Sequence, residues 1–230
     1  MLVHGFVRRV LLSAALSGAV AAGAACGPAD DAGQGGPPTA AELAAALPEG
    51  DDLPGFTARP QDMPLLEKED VVTADDPACR PVSDMMSVRP EHPRRAMVWA
   101  TLTADGAPAD APPGSLVLTS HTAGDARAWL DDLRKALSEC EGFTATSRRG
   151  WTYRFTVKPL PPPDAGDESV AYVLTNTSDI GGKGNVMTVV RTGSVLASYL
   201  LSRDTEWSGA VPASVAGPQH ERLRDAGAGR

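Results

Sequence analysis

The feature that most constrains this chain is a train of alternating segments in its C-terminal third. Trp151, Tyr153, Phe155 and Val157 alternate with Thr152, Arg154 and Thr156, and the same period of two returns at Val170, Tyr172 and Leu174. Residues two apart share one face of a strand, so each segment predicts a half-buried strand. Residues 186–191 and 195–201 add two more, joined through Thr192-Gly193 at the spacing of a tight hairpin. Strands joined by short turns pair antiparallel. Upstream, 95–103 and 115–120 predict a further pair, with Asp105-Gly106 and a Pro-rich stretch as the loop between them.

Helices punctuate the strands. Ala126, Leu130, Leu133, Leu137 and Cys140 recur at spacings of three and four, which predicts a helix over 124–141 with one stripe facing the core. Gly142 follows as the expected left-handed cap. Thr39-Ala-Ala-Glu42 has the form of a capping box, opening a helix through Leu47 that Pro48 stops. Asp75 or Asp76 is expected to cap a second helix with Pro77 near its first position, running to about Met86, with Cys79, Val82 and Met86 on one face. A closing helix over 211–226 carries Val215, Gln219 and Leu223. Residues 48–74 are rich in Pro, Asp and Gly, and only Val71-Val72 there looks strand-like. The class predicted is α+β: an antiparallel sheet with helices packed on one face.

The N-terminus predicts export. Arg8 and Arg9 precede an uncharged stretch from Val10 to Ala22, and Gly23-Ala24-Ala25 lead to Cys26. Charge, a short apolar run and small residues in that order form a secretory signal, and the run is too short to span a bilayer. A Cys directly after the small residues resembles a lipobox, in which the thiol receives a lipid bearing fatty chains such as palmitate and the Cys itself becomes the new N-terminal residue. Gly23 departs from the Leu usual three residues before that Cys. Arg8-Arg9 also carries the charge of a twin-arginine signal, though its surroundings do not follow that pattern, so both export routes stay open. The expected organisation is a signal peptide at 1–25, a lipid-anchored flexible polar linker at 26–38, one domain at 39–226 and a short tail at 227–230. The expected location is the extracytoplasmic side of the cell membrane, held by the lipid on Cys26.

Removing the signal takes away Arg8 and Arg9, the only charged residues before Cys26, so the formal net charge falls from −8 to −10. Such a balance argues against nucleic acid, whose phosphates attract basic patches. With Cys26 acylated, Cys79 and Cys140 are an even pair in an exported chain, and the inward stripe of the 124–141 helix includes Cys140. Both observations predict a disulfide.

Catalytic signatures are sparse. The mature chain keeps His92, His121 and His220, far apart in sequence and read as exposed loop or helix residues. Gly181-Gly182-Lys183-Gly184 lacks the Gly and the Ser or Thr that a phosphate-binding loop requires, and reads as a turn between strands. No Gly-x-Ser-x-Gly elbow is present. Neither a metal site nor a cofactor is expected. The strand aromatics, Trp151 among them, are read as core filling. Some could instead wall a ligand cavity: Arg154 and Arg191 interrupt apolar or Thr-rich strands, and with Thr152 and Tyr172 they are the candidate ligand-binding residues.

Several segments together resemble a known family. Ala-Leu-Pro at 46–48, Leu-Pro-Gly-Phe at 53–56, Pro77-Ala-Cys79-Arg-Pro-Val-Ser-Asp, the 133–143 segment through Cys140-Glu-Gly-Phe143, Gly166-Asp-Glu-Ser-Val-Ala-Tyr172, Val189-Val-Arg-Thr-Gly-Ser194 and the Gln219 helix are similar to actinobacterial lipoproteins related to the extracellular sensor domain of PknH-type receptor kinases. The resemblance covers about Thr39 to Ala226. It implies an α+β domain whose sheet and helices frame a cleft for an unidentified ligand, and it brings no catalytic residues. The kinase domain has two disulfides, whereas this chain can form one. The expected function is therefore a non-enzymatic ligand-binding or sensing lipoprotein of the cell envelope, with a small ligand or an envelope protein as partner. The alternatives are an envelope hydrolase built from residues distant in sequence, and a structural surface protein.

Overall fold

A computed structural model describes residues 36–178, 184–202 and 209–228. The signal, Cys26, most of the linker, Gly181-Gly182-Lys183 and the last two residues of the tail lie outside the described residues.

The chain begins with helix α1 (Ala40–Ala45), held by the expected capping box. Thr39 N donates to Glu42 Oε2 at 2.7 Å, and Glu42 N donates to Thr39 Oγ1 at 3.3 Å. Strands β1 (Gly50–Leu53), β2 (Phe56–Gln61) and β3 (Val72–Ala74) then form in the segment whose composition predicts loop. The expected second helix is divided. Asp76 caps a 3-10 turn (Pro77–Cys79), and the chain continues directly into α2 (Arg80–Asp84).

Strands β4 (Ala96–Ala104) and β5 (Gly114–Ser120) lead into the long helix α3 (Ala123–Glu139). Then come β6 (Gly142–Ser147), β7 (Thr152–Leu160), β8 (Glu168–Asn176), β9 (Gly184–Thr192), β10 (Val195–Ser202) and the closing helix α4 (Ala213–Asp225). The described strands make one sheet in the order β1-β2-β4-β5-β10-β9-β8-β7-β6-β3, and the paired neighbours run antiparallel. α3 carries the chain from β5 at the centre to β6 near the far edge, and a meander of hairpins returns it. β10 then closes against β5, with Ala197 opposite Leu118 and Tyr199 opposite Leu116. The β9–β10 turn passes through Gly193 at φ +56°, the left-handed conformation a tight hairpin requires.

The expected α+β antiparallel architecture is present, but the helices divide between the two faces of the sheet. Along β10, Val195, Ala197, Tyr199 and Leu201 enter one core, while Leu196 and Leu200 enter the other. The first core lies under α1 and α4 with Leu43, Val215 and Leu223. The second lies under α2 and α3 with Val82, Leu130 and Leu133. A sheet this wide outreaches any one helix layer, so each half is covered from the opposite side. The buried Gln219 of α4 donates from Nε2 to the Ala46 carbonyl at 2.9 Å, which ties the closing helix to the end of α1.

Two local expectations change. α3 ends at Cys140 in an extended conformation (φ −101°, ψ 107°) rather than through a left-handed glycine. Gly142 opens β6 instead, and a Cβ there would meet the Phe155 carbonyl oxygen at 2.6 Å, so the glycine answers to close strand approach. Trp151, expected in the core, is 57% exposed. It precedes β7, next to the turn at Gly150, and the Arg149 guanidinium lies 5.8 Å from its ring centre.

α3 begins at Thr122, whose hydroxyl accepts from Asp125 N at 3.1 Å. Replacing this cap by Ala should lower stability by about 1 kcal/mol, whereas Thr122→Ser should be close to neutral. Urea unfolding of the two variants checks this, and equal losses for both would place the stabilisation elsewhere.

Candidate functional site

The two cysteines join as expected. Cys79 and Cys140 form a disulfide between the 3-10 turn and the end of α3, with Cα atoms 5.2 Å apart. The bond pins α3 to the α2 segment at the far side of the second core. Toward the centre of the sheet, the same face opens into a partly enclosed cavity of about 260 Å³.

Each wall follows from the pleat. Met97 of β4, Val117 of β5, Leu196 and Leu200 of β10 and Met187 of β9 all point to this face and form the floor. Tyr172 and Leu174 of β8 continue it toward Phe155 of β7. Met85 and Met86, which follow α2, and Leu65 and Leu66 from the loop after β2 line the cavity from other elements, and Trp129 of α3 contributes a further wall. Four of the six methionines in the chain therefore gather around one cavity. Methionine is unbranched and polarizable, so such walls adapt to the shape of what they enclose.

Besides Tyr172 and Arg94, the polar residues at this lining are Ser115, Thr119, Asn176, Asn185 and Ser198. Tyr172 is fully buried, and its hydroxyl finds no hydrogen-bond partner among the described residues. Burial drives its pKa far upward, so the hydroxyl keeps its proton. Arg94 also lines the cavity, with its guanidinium 4.8 Å from the Trp129 ring centre. Its Nη1 donates to the Ser87 carbonyl and its Nη2 to the carbonyls of Asp84 and Met85, the exposed end of α2. Burial lowers the Arg94 pKa to about 10, partly opposed by the Asp84 charge, so it is cationic at neutral pH. The Asp84 carboxyl is shifted upward, chiefly by its own burial, although Glu91 N donates to it.

One histidine packs behind this wall, against Trp129 and Thr119, and none of His92, His121 and His220 lines the cavity. His121, read from sequence as exposed, is fully buried at the junction of β5 and α3. Its Nδ1 lies 3.1 Å from the Pro93 carbonyl and its Nε2 2.9 Å from Thr119 Oγ1. A carbonyl can only accept, so Nδ1 carries the proton, and Nε2 of the neutral ring accepts from the threonine. The ring meets Trp129 edge-on at 5.2 Å. His92, half-buried, approaches Asp132 Oδ2 at 2.8 Å on the solvent side of α3. His220 meets Thr192 Oγ1 at 2.7 Å, away from the cavity.

Of the four candidate ligand residues, Tyr172 lines this cavity and the other three do not. Arg191 is buried, but its Nη1 donates to Asp167 Oδ2 at 3.1 Å and its Nη2 to Glu168 Oε1 at 3.3 Å, which brace the β9–β10 turn. Thr152 and Arg154 lie on the exposed side of β7. Arg154 borders an open, shallow depression with Thr144, Thr156 and Thr177. The arginine of the cavity is Arg94. It comes from a loop whose position depends on tertiary packing, and no sequence pattern singles it out. Among the described residues, no cluster of His, Cys, Asp and Glu is arranged to hold a metal ion, and no helix is long and apolar enough to cross a membrane.

The fold and this lining can be set beside known proteins. No curated protein matches the sequence. The structure is similar to the crystal structure of the extracellular domain of PknH from Mycobacterium tuberculosis, with a TM-score of 0.51 and 16% sequence identity. The likeness covers 82% of this chain and 96% of that one, and at this identity it speaks for the fold. The profile of the PknH-like extracellular domain matches residues 38–204, which run from the cap of α1 past the end of β10 and include the disulfide and the described cavity walls. With most of its length inside that match, the chain belongs to the PknH-like extracellular domain family.

Proposed function

We propose that this protein is a lipid-anchored domain on the outer face of the cell membrane, which binds a small ligand in the central cavity without transforming it and signals through an envelope partner. The observation that carries the reading is the partly enclosed apolar cavity with one buried, unpaired hydroxyl in its wall. Ligand sites are concave, mostly apolar and equipped with a few polar groups, and this cavity is built that way. Membership in an extracellular domain family supports the placement, and the signal-like residues 1–25 followed by Cys26 support the anchor.

Native mass spectrometry of the chain isolated from its own envelope tests the reading. The wild type is expected to carry a non-covalent mass that Val117→Phe, which fills the cavity floor, does not retain although it unfolds as cooperatively as the wild type. The covalent mass should include a diacylglyceryl group that Cys26→Ser lacks, and that variant should move from the membrane to the soluble fraction. Equal ligand loads on wild type and Val117→Phe would remove the cavity from the proposal, and a Cys26→Ser chain that stays with the membrane would remove the anchor.

A further inference from the structure

Resting on the reading above that the cavity takes a ligand, we infer that its ligand is a single aliphatic chain bearing one hydrogen-bond acceptor, a fatty acyl group drawn from the neighbouring membrane. Three observations point to this chemistry. The first is the wall: leucines, methionines and aromatics from several strands and loops make up most of the lining, and the four methionines form a surface that adapts to a pliable apolar chain. The second is size. A volume of about 260 Å³ holds roughly nine groups of the size of water, at about 30 Å³ each, which suits a chain of about ten carbons and excludes an oligosaccharide or a peptide of several residues.

The third is the distribution of donors. The Arg94 Nη atoms are committed to backbone carbonyls at the end of α2. Thr119 Oγ1 is engaged by His121. Ser115, Asn176, Asn185 and Ser198 also line the cavity, but Tyr172 Oη is the lining hydroxyl that is both fully buried and without a partner among the described residues, so it gains most from a ligand acceptor. Tyr199 also has an unpaired hydroxyl, but it lies in the opposite core and does not line this cavity. The source follows from the tether. Twelve residue steps separate Cys26 from Pro38, a reach of at most about 45 Å, so an anchored domain stays close to the lipid surface.

The test uses the exported chain carrying Cys26→Ser, so that no detergent competes for the cavity. Calorimetric titration is made with straight-chain carboxylic acids of six to fourteen carbons, with decanol, with decane and with a muropeptide. Affinity is expected to rise about fourfold per methylene and to level off near ten carbons, as a filled cavity requires. Tyr172→Phe should weaken decanoic acid and decanol about tenfold while leaving decane unchanged, a difference that a structural role for the hydroxyl would not produce. If affinity does not depend on chain length, or if Tyr172→Phe weakens decane equally, the assignment of a monopolar chain is overturned. Muropeptide binding lost in Val117→Phe would overturn the acyl class and leave the cavity as a ligand site. If no probe binds and native mass spectrometry of the envelope-derived chain also shows no cavity-dependent mass, the ligand reading itself fails.

Discussion

Reducing the Cys79–Cys140 bond is expected to lower the unfolding free energy by about 4 kcal/mol, the value the chain-entropy relation gives for a closed loop of this size. The bridge joins residues 61 apart in sequence. Between them lie β4, β5 and the whole of α3, so the unfolded chain loses conformational freedom over much of the second core when the bond is present. Urea unfolding of the Cys26→Ser chain, with and without a strong reductant, measures the difference. The double variant Cys79→Ala with Cys140→Ala repeats it without reductant. Both cysteines are buried, so the variant should lose somewhat more than reduction alone because small voids remain. A difference below about 1 kcal/mol would mean that the packing of α3 already restricts the loop, leaving little for the bond to add.

The same bond bears on the cavity. Cys140 ends α3, and Trp129 lies on that helix about three turns earlier, so the disulfide holds one end of the element that supplies a cavity wall. Weakening of chain-length-dependent binding on reduction would therefore report the position of α3, since neither sulfur lines the cavity.

The regular parts of this fold were legible because local physics and tertiary demand agree there. The 3–4 spacing of Ala126, Leu130 and Leu133 marks the buried face of α3, and the structure adds Trp129 and Ala136 to it. The meander from β7 to β10 shows its period of two, and Thr39 announces its capping box. The segment from 48 to 74 was not legible. β1 carries Asp51 and Asp52 on an edge of the sheet, so it shows little apolar alternation. β2 contains Pro60, which a central strand would not tolerate. It is accommodated because β1 pairs only through Gly50 to Leu53, leaving Pro60 beyond its reach. β3 is three residues long and is recruited by β6.

The cavity was less legible than the fold, and the reason is its construction. Its walls come one to three residues at a time from β4, β5, β7, β8, β9, β10, α3 and the loops after β2 and around α2. Each of these residues is an ordinary core residue by its own periodicity. The sheet order, which places β5 beside β10, is what brings Val117 and Leu196 to one surface. Tyr172 could be picked out because it lies on an alternating strand. That its hydroxyl would be left unpaired depends on neighbours the sequence does not name. Arginines attract attention when they interrupt strands, as Arg154 and Arg191 do, yet the one at the cavity wall, Arg94, lies in a loop and serves first to satisfy the carbonyls that α2 leaves exposed.

His121 was misread for a related reason: nothing in Ser120-His121-Thr122 says that the Pro93 loop folds over it. Its burial makes the stability of the domain dependent on pH. The folded-state pKa falls from 6.5 to about 4, first through burial and then through the Arg94 charge, with His92 acting in the same direction and Pro93 O and Asp125 opposing. Between these two values the unfolded chain binds a proton that the folded chain does not. The stabilisation is therefore complete above about pH 6.5 and is lost progressively as pH falls toward 4. A separation of this size corresponds to about 3 kcal/mol, and because the ring is fully buried no discount for solvent applies. Carboxylates also titrate in this range, so the quantity to measure is the difference between wild type and His121→Gln, whose amide can both donate to Pro93 O and accept from Thr119. The wild type should lose about 3 kcal/mol more than the variant between pH 7 and pH 4. Unfolding curves that stay parallel across that range would show that the ring is not held neutral, and the hydrogen-bond assignment of Nδ1 as donor and Nε2 as acceptor would fall with it.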